Sequence, residues 1–309
     1  MKAAVVQGPG QVPVFADFAE PVPAAGEILI DVTAAAISQV VKARASGAHY
    51  SATNAFPFVA GIDGVGRTSD GRRVYFVMPR PPHGAMAERV AVPAAQCVDL
   101  PDDLDDLAAA AIANPGMSSW AAYVERARLK PGETVLVNGA TGTSGRLAVQ
   151  IARHLGAGRI IATGRNAQAL REVGADVTLP LDQPEAFLAP FAEGVDVVID
   201  YLWGDSARAL LIAGARAGRD AVPIRFVQVG SVSAADIALP SGVLRSSAIE
   251  LMGSGIGSIR FDRLVAAAGA VLQAAVPAGL HIAFTPAPLA EVEQAWPRDD
   301  SRRRTVFHQ

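Results

Sequence analysis

The stretch "VNGATGTSGRLAVQIARHLGAGRIIATGRN", residues 137–166, decides how the chain folds around it. It opens apolar, tightens into glycine and small side chains, runs on at helical spacing, and turns apolar again at "RIIAT". Strand, tight turn, helix and second strand make a βαβ unit of about thirty residues. Within it, Ala140, Thr141, Gly142, Thr143, Ser144 and Gly145 form an A-x-G-x-x-G variant of the dinucleotide fingerprint, with Gly139 just before. Gly142 lets the backbone approach a pyrophosphate, Gly145 lets the helix pack close to the strand, and the helix N-terminus favours negative charge. The bland alternative is an ordinary strand-to-helix turn. The strand before, the helix after and the second strand closing the unit favour a phosphate cradle.

In an NAD site an acidic residue about 20 residues further on hydrogen-bonds the ribose 2′-OH. This chain has Gly164, Arg165 and Asn166 there, and no carboxylate. A guanidinium is a permanently charged, planar donor fork that matches a phosphate. These residues are therefore predicted to clamp a 2′-phosphate, which selects NADPH over NADH. A plain surface arginine at a helix start is the alternative.

Outward from this unit, "DVTLP", "VDVVID", "RFVQVG" and "IELMGS" are further apolar strands, separated by helical stretches such as "DSARALLIAGARA". Near-continuous apolar strands alternating with helices predict an α/β fold with a parallel sheet covered on both faces. Residues 1 to about 110 read differently. "EILIDVTAAAI", "RRVYFV" and "ERVAV" are strands punctuated by glycine and proline, and they suggest a β-rich, partly open barrel. "DLDDLAAAAIANPGMSSWAAYVERARL" then turns helical, with Pro115-Gly116 dividing two pieces. In "FDRLVAAAGAVLQAAV" the residues Leu264, Val265, Ala268, Val271 and Leu272 share one helix face. The last thirty residues mix strand and helix and are read as returning to the first domain.

At 309 residues the chain is long for one domain, so two are expected. Half of the residues are hydrophobic and 18% are charged, which excludes disorder, and the apolar runs are too short to span a bilayer. The net charge of −3 is interspersed, so neither nucleic acid nor a membrane is expected as a partner. The start "MKAAVVQGPGQVPVF" lacks the apolar core of a secretory signal and reads as a first strand. The single cysteine, Cys97, excludes a disulfide framework and a cysteine-rich zinc site; it fits a reducing cytoplasm and reads as packing. Arg302, Arg303 and Arg304 read as a solvated strand end rather than a binding patch.

The ordered pieces "MKAAVV", "AGIDGVGR", "DGRRVYF", "GAMAERVAVP", "NPGMSSWAA", "KPGETVLVNGATGTSG", "LGAGRIIATGRN", "REVGAD", "VDVVIDYLWG", "VQVGS" and "GSGIGS" resemble the medium-chain dehydrogenase/reductase superfamily, in its zinc-independent, quinone-oxidoreductase-like branch. The resemblance runs nearly end to end. It implies a doubly wound Rossmann domain over residues 111–270. A β-rich, GroES-like catalytic domain would be split between residues 1–110 and 271–309, with the active site in the cleft. It also implies a homodimer paired through sheet edges, with "IELMGS" as the candidate edge.

Zinc-dependent relatives place metal ligands where this chain has Ser38, Ile62, and Asn114 or Pro115. Isoleucine and proline offer no ligand atom and a neutral hydroxyl is a poor one, so no metal is expected. Without a metal to stabilise an alkoxide, acceptors that spread charge through their own conjugation lead, namely quinones and α,β-unsaturated carbonyls. The resemblance puts Val229, Gly230, Ser231, Ser254 and Gly255 along the nicotinamide half of the cofactor. It lines the substrate cleft with Ser38, Gln39, Asn114 and Ser118. Ser38 is then a hydrogen-bond donor to the acceptor or a simple loop hydroxyl. Tyr50 is the candidate proton donor, with His49 beside it and a loop role or bulk water as alternatives. Asp63 reads as a turn or hydrogen-bonding residue, and Phe56, Pro57 and Phe58 as an apolar wall or core. The expected protein is an NADPH-dependent, zinc-independent oxidoreductase. A zinc-independent ketone or alcohol reductase and a non-catalytic NADPH sensor are its rivals.

Overall fold

The computed structural model describes residues 1–47, 55–300 and 303–309. The chain divides into two compact units, Met1–Asn114 with Ala268–Gln309, and Pro115–Ala267. Both divisions fall inside helices rather than in loops.

The first unit opens with β1 (Lys2–Val6), β2 (Val14–Asp17) and β3 (Glu27–Ala36), followed by α1 (Gln39–Ala45). Then come β4 (Phe58–Val59), β5 (Asp63–Thr68), β6 (Arg73–Val77), β7 (Arg89–Pro93) and β8 (Cys97–Asp99). β1 pairs antiparallel with β2 and β4. The long β3 pairs with β5 along one edge and with β7 over residues 27–31 of the other. A register shift between Val32 and Ala34 bends β3, and the hydroxyl of the intervening Thr33 donates to Asp106 Oδ2 at 2.7 Å. The inward side chains close over a core that includes Ile30, Ile37, Val74, Phe76 and Met86. Each such large side chain, once fully buried, contributes about 1.5–3 kcal/mol.

The predicted break at Pro115-Gly116 does not occur: α2 runs from Asp106–Ala121 with Pro115 inside it. Proline has no N–H for the carbonyl four residues back, which is that of Ala111. Arg304 Nη1 donates to Ala111 O at 2.7 Å instead. A charged donor thus replaces the missing helix bond, and the helix continues.

The second unit alternates β9 (Thr134–Asn138), α3 (Thr143–His154), β10 (Arg159–Gly164), α4 (Ala167–Arg171) and β11 (Val177–Pro180). It continues through α5 (Leu188–Glu193), β12 (Val197–Asp200), α6 (Gly204–Ala217), β13 (Ile224–Gln228), α7 (Ser241–Arg245) and β14 (Ile249–Gly253). The strands form one parallel sheet in the order β11-β10-β9-β12-β13-β14. Counted from β9, this is the doubly wound Rossmann order, whose crevice opens where the strand order reverses beside the first strand. Helices cover both faces, which is why the central strands are apolar throughout; Leu136, Ile161, Val198 and Phe226 lie in one core with Phe187, Phe191 and Leu210. α3 buries Leu147, Ala148, Val149, Ile151 and Ala152.

In α8 (Phe261–Ala275) the predicted face of Leu264, Val265, Ala268, Val271 and Leu272 is buried. The tail adds β15 (Phe284–Pro288), α9 (Val292–Ala295) and β16 (Arg304–His308). β16 runs parallel to β15 and antiparallel to the end of β3, so the tail completes the first unit. The reading of Arg304 as solvated is corrected, since it is only 5% exposed. It is drawn in by two backbone carbonyls, Ala111 O and Ile37 O, the latter at 3.0 Å from Nε. Arg303 stays exposed, and Arg302 lies outside the described residues. Among the described residues no helix is long and apolar enough to cross a membrane.

Candidate functional site

In the second unit, the polar residues collect where the strands end. Asn138 ends β9, Thr163 nearly ends β10 and Asp200 ends β12, and all three are fully buried. Thr163 Oγ1 donates to Asn138 Oδ1 at 2.6 Å. Asn138 Nδ2 donates to Asp200 Oδ1 at 2.8 Å and to Ser206 Oγ at 3.0 Å. The Gly139 N–H donates to Thr163 Oγ1 at 3.2 Å, and the Ala140 N–H to Thr163 O at 2.9 Å. The glycine turn is therefore fastened from beneath by β10. Sequence reasoning missed this network, although a polar residue closing each apolar strand was its signal.

Gly139 has φ +87°, a conformation that glycine adopts without strain. A Cβ on Gly145 would lie 2.3 Å from Gly139 O, so only glycine lets α3 come this close to the turn. Gly142 is the N-cap of α3; no side chain caps the helix and its first turn holds no acid. Its backbone N–H groups and positive dipole end suit an anion. Arg146 Nε reaches back to Thr141 O at 3.3 Å, a basic neighbour that the motif alone does not reveal. Below the turn, Ser119 Oγ bonds Pro115 O at 2.9 Å, Ser144 O at 3.3 Å and Tyr201 OH at 2.7 Å. The predicted Ser118 instead donates to Pro115 O of its own helix at 2.9 Å.

Asp200 also accepts from the Leu202 N–H at 3.0 Å and the Trp203 N–H at 3.1 Å. Burial pushes its carboxyl pKa up, and these bonds together with Asn138 oppose that shift. The bonds hold Trp203 at φ 57°, left-handed backbone that a bulky residue rarely adopts. Asp200 O accepts from the Val229 and Gly230 N–H groups at 2.8 and 3.1 Å, which brings the end of β13 beside β12. Ser231 is exposed next to them. The Ser254 N–H donates to Gln228 O at 2.8 Å, and the Gly255 N–H to Ser258 Oγ at 2.8 Å. Arg165 is exposed after β10 and lines a cavity of about 500 Å³ with Ser206, Arg208, Ser233 and Asp236. Asn166 caps α4, its Oδ1 accepting from the Ala169 N–H at 3.0 Å. The glycine turn, residues 164–166, residues 229–231 and residues 254–255 thus all follow strand ends on the carboxyl edge of one parallel sheet.

In the first unit, Ser38 is the N-cap of α1, its Oγ accepting from the Val41 N–H at 3.2 Å. That contact uses the oxygen and leaves the hydroxyl proton to donate. Asp63, at the start of β5, is 1% exposed; it accepts from Tyr75 OH at 3.0 Å and from Asn114 Nδ2 at 3.5 Å. Burial raises its pKa to about 6, against the pull of Arg304 and the Tyr75 bond. Burial in turn lowers the pKa of Arg304, while Asp63 supports its charge. Arg304 was no candidate in the sequence, where three consecutive arginines look like surface. Tyr50 and His49 lie outside the described residues. Cys97 is half-buried and its thiol is pushed up to about 11 by burial, as for a packing residue. Among the described residues no three His, Cys, Asp or Glu side chains come together as a metal site.

No family model matches the chain. It is 31% identical over 343 aligned residues to a probable NADPH-dependent quinone reductase of Emericella nidulans, covering 95% of each protein. It is also 31% identical over 170 residues to a 2-haloacrylate reductase of a Burkholderia species, covering 48% of this chain and 50% of that one. Among solved structures, the quinone oxidoreductase of Thermus thermophilus, whose complex with NADPH is also known, matches with a TM-score of 0.83 at 28% identity over the whole of both chains.

Proposed function

This chain belongs to the quinone reductase family of the medium-chain dehydrogenases/reductases, and from that premise we propose that it is an NADPH-dependent reductase that passes a hydride to a quinone or an α,β-unsaturated carbonyl without a metal. The observation that carries the reading is the glycine turn, tied to Thr163 and opening on an uncapped α3, with Arg165 and no carboxylate at the end of β10.

These residues fit a dinucleotide: the close approach at Gly145 leaves no room for a side chain, and α3 presents N–H groups at its start. Bound there, NADPH supplies the hydride. Residues 140–145 hold the pyrophosphate, and Arg165 with Gly164 and Asn166 holds the 2′-phosphate through the guanidinium fork. Asn166 contributes by fixing the start of α4, because its side-chain oxygen is committed to the cap. Asn114, Ser118, Val229, Gly230, Ser231, Ser254 and Gly255 border the nicotinamide half. Ser38 donates its hydroxyl proton in a hydrogen bond to the acceptor oxygen, and Tyr50 supplies the proton that follows hydride transfer. Isoleucine at position 62 gives a metal no ligand atom, so acceptors that delocalise charge themselves suit the site. The reading includes a homodimer joined through β14, the outer strand of its sheet, and a cytoplasmic location.

The test follows NADPH and NADH oxidation, with chelator present, against quinones, 2-enones and saturated ketones. Wild type is expected to oxidise NADPH with quinones or enones. Arg165→Ala is expected to shrink the NADPH-over-NADH preference about 10- to 100-fold, the loss of one charge-assisted contact. Preference for NADH would sink the clamp, turnover of saturated ketones alone would make the protein a carbonyl reductase, and NADPH binding without turnover would make it a sensor.

A further inference from the structure

The first unit holds a cavity of about 260 Å³ walled by Val41, Phe56, Phe58, Ile62, Pro79 and Pro81. Pockets for drug-sized ligands start at roughly 300 Å³, so this one suits a single compact ring system. Phe56 and Phe58 tilt against each other with ring centroids 5.4 Å apart, which gives the wall aromatic surface. Two basic side chains join this lining, Arg44 and His83. His83 is occupied: its Nε2 donates to Ala19 O at 3.2 Å and its ring stands edge-on to Phe18.

Arg44 is different. It is half-buried in the last turn of α1, and burial alone lowers its pKa. Among the described residues no carboxylate pairs with it. Elsewhere below the surface, Arg73 bonds Asp106, Arg159 bonds Glu193, Arg225 bonds Glu133 at 2.6 Å and Arg304 is supported by Asp63, while the half-buried Arg126 and Arg146 donate to the carbonyls of Gly253 and Thr141. A guanidinium keeps its charge at any ordinary pH, and a charge taken from water into apolar surroundings calls for a counter-ion. Arg44 follows Val41 by three residues, and Val41 follows Ser38 by three. Val41 and Arg44 both line the cavity from α1, the helix that Ser38 caps.

We propose that this cavity is an acceptor subsite, and that Arg44 makes the enzyme select planar, apolar acceptors that carry a carboxylate or similar anionic group. The ring system lies against Phe56, Phe58 and the prolines, and the anion is held by the guanidinium. The assignment of the ligand as an acceptor rests on the reductase reading; the anion preference rests on Arg44 and the cavity.

Two measurements separate the two. Calorimetric titration of the full chain compares 2-naphthoate with its uncharged amide, in wild type, Arg44→Met and Arg44→Lys. Wild type is expected to bind the carboxylate at least about 10-fold tighter, the effect of one charge-assisted contact. The advantage falls to near one in Arg44→Met and survives in part in Arg44→Lys, which keeps the charge without the fork. Equal affinities in wild type, or an advantage that Arg44→Met leaves intact, overturn the proposal. If Arg44→Met does not fold, the wild-type preference and Arg44→Lys decide. NADPH oxidation with 1,4-naphthoquinone-2-sulfonate and with 1,4-naphthoquinone is the second measurement. Turnover with no preference for the sulfonate that depends on Arg44 overturns the inference and leaves the reductase reading standing. Arg44-dependent binding without turnover of either quinone overturns the acceptor assignment, and if the 2-enones are not reduced either, the reductase reading falls with it.

Discussion

Asp200 and Asp63 are both buried carboxylates, one in each compact unit, and they are compensated in opposite ways. Asp200 is surrounded by neutral donors: the amide of Asn138 and two backbone N–H groups a few residues downstream. Asp63 has the Tyr75 hydroxyl, a long contact to Asn114 and the charge of Arg304, which lies 241 positions further along the sequence. Neutral hydrogen bonds satisfy a carboxylate without burying a second charge, whereas a charge partner must itself be desolvated. The second unit therefore holds its buried acid with neutral donors from the following turn and a neighbouring strand end, and the first unit holds its acid with a charge brought in by long-range closure of the chain.

The comparison breaks most visibly at Arg304. Arg304→Met leaves Asp63 without a countercharge and strips the Ala111 and Ile37 carbonyls of their donor. A loss of about 3–5 kcal/mol in urea unfolding at neutral pH is expected. A loss below about 1 kcal/mol would mean that the first unit does not depend on the pair.

The pH dependence of stability is a sharper probe of the same acid. The folded pKa of Asp63, about 6, lies above the ordinary 3.8, so between those values the folded chain holds a proton that the unfolded chain has released. Its contribution to stability is therefore fully present below about pH 4, is lost as the pH rises through about 6, and is constant above. The total is at most about 3 kcal/mol. Urea unfolding of wild type and Asp63→Asn across this window is expected to show the slope in wild type only. Parallel curves would remove Asp63 as the titrating group.

The smallest effect belongs to the neutral network. Thr163→Val keeps the shape but leaves Asn138 Oδ1 and the Gly139 N–H without their partner, at a cost of about 1–2 kcal/mol. NADPH affinity, read by cofactor fluorescence, is expected to fall with it, and Thr163→Ser to restore both. A variant with unchanged affinity would mean that the turn keeps its shape without β10.

Much of the second unit was legible because its signals are local. The apolar strands "TVLVN", "RIIAT" and "VDVVID" and the glycine spacing all report on neighbours within about thirty residues. The helical face predicted for α8 was legible for the same reason, since burial repeats with the helix period. The Asn138–Thr163–Asp200 network was not read, because a polar residue at the end of one strand means little until three strand ends lie side by side. The first unit was legible as β-rich with a tail returning to it, but not in its strand order. The bulge in β3, its pairing with β16 and the Arg44 cavity depend on strands that the sequence does not order.

The sequence by itself determined that a βαβ unit with a tight glycine turn opens a parallel sheet, because strand period, helix period and turn chemistry act between close neighbours along the chain. Only the tertiary structure decided that Pro115 stays inside a helix and that Arg304 is a core residue. Each answers the other across the fold, since the carbonyl freed by the proline is satisfied by a guanidinium that follows it by 193 residues. No local pattern encodes that pairing.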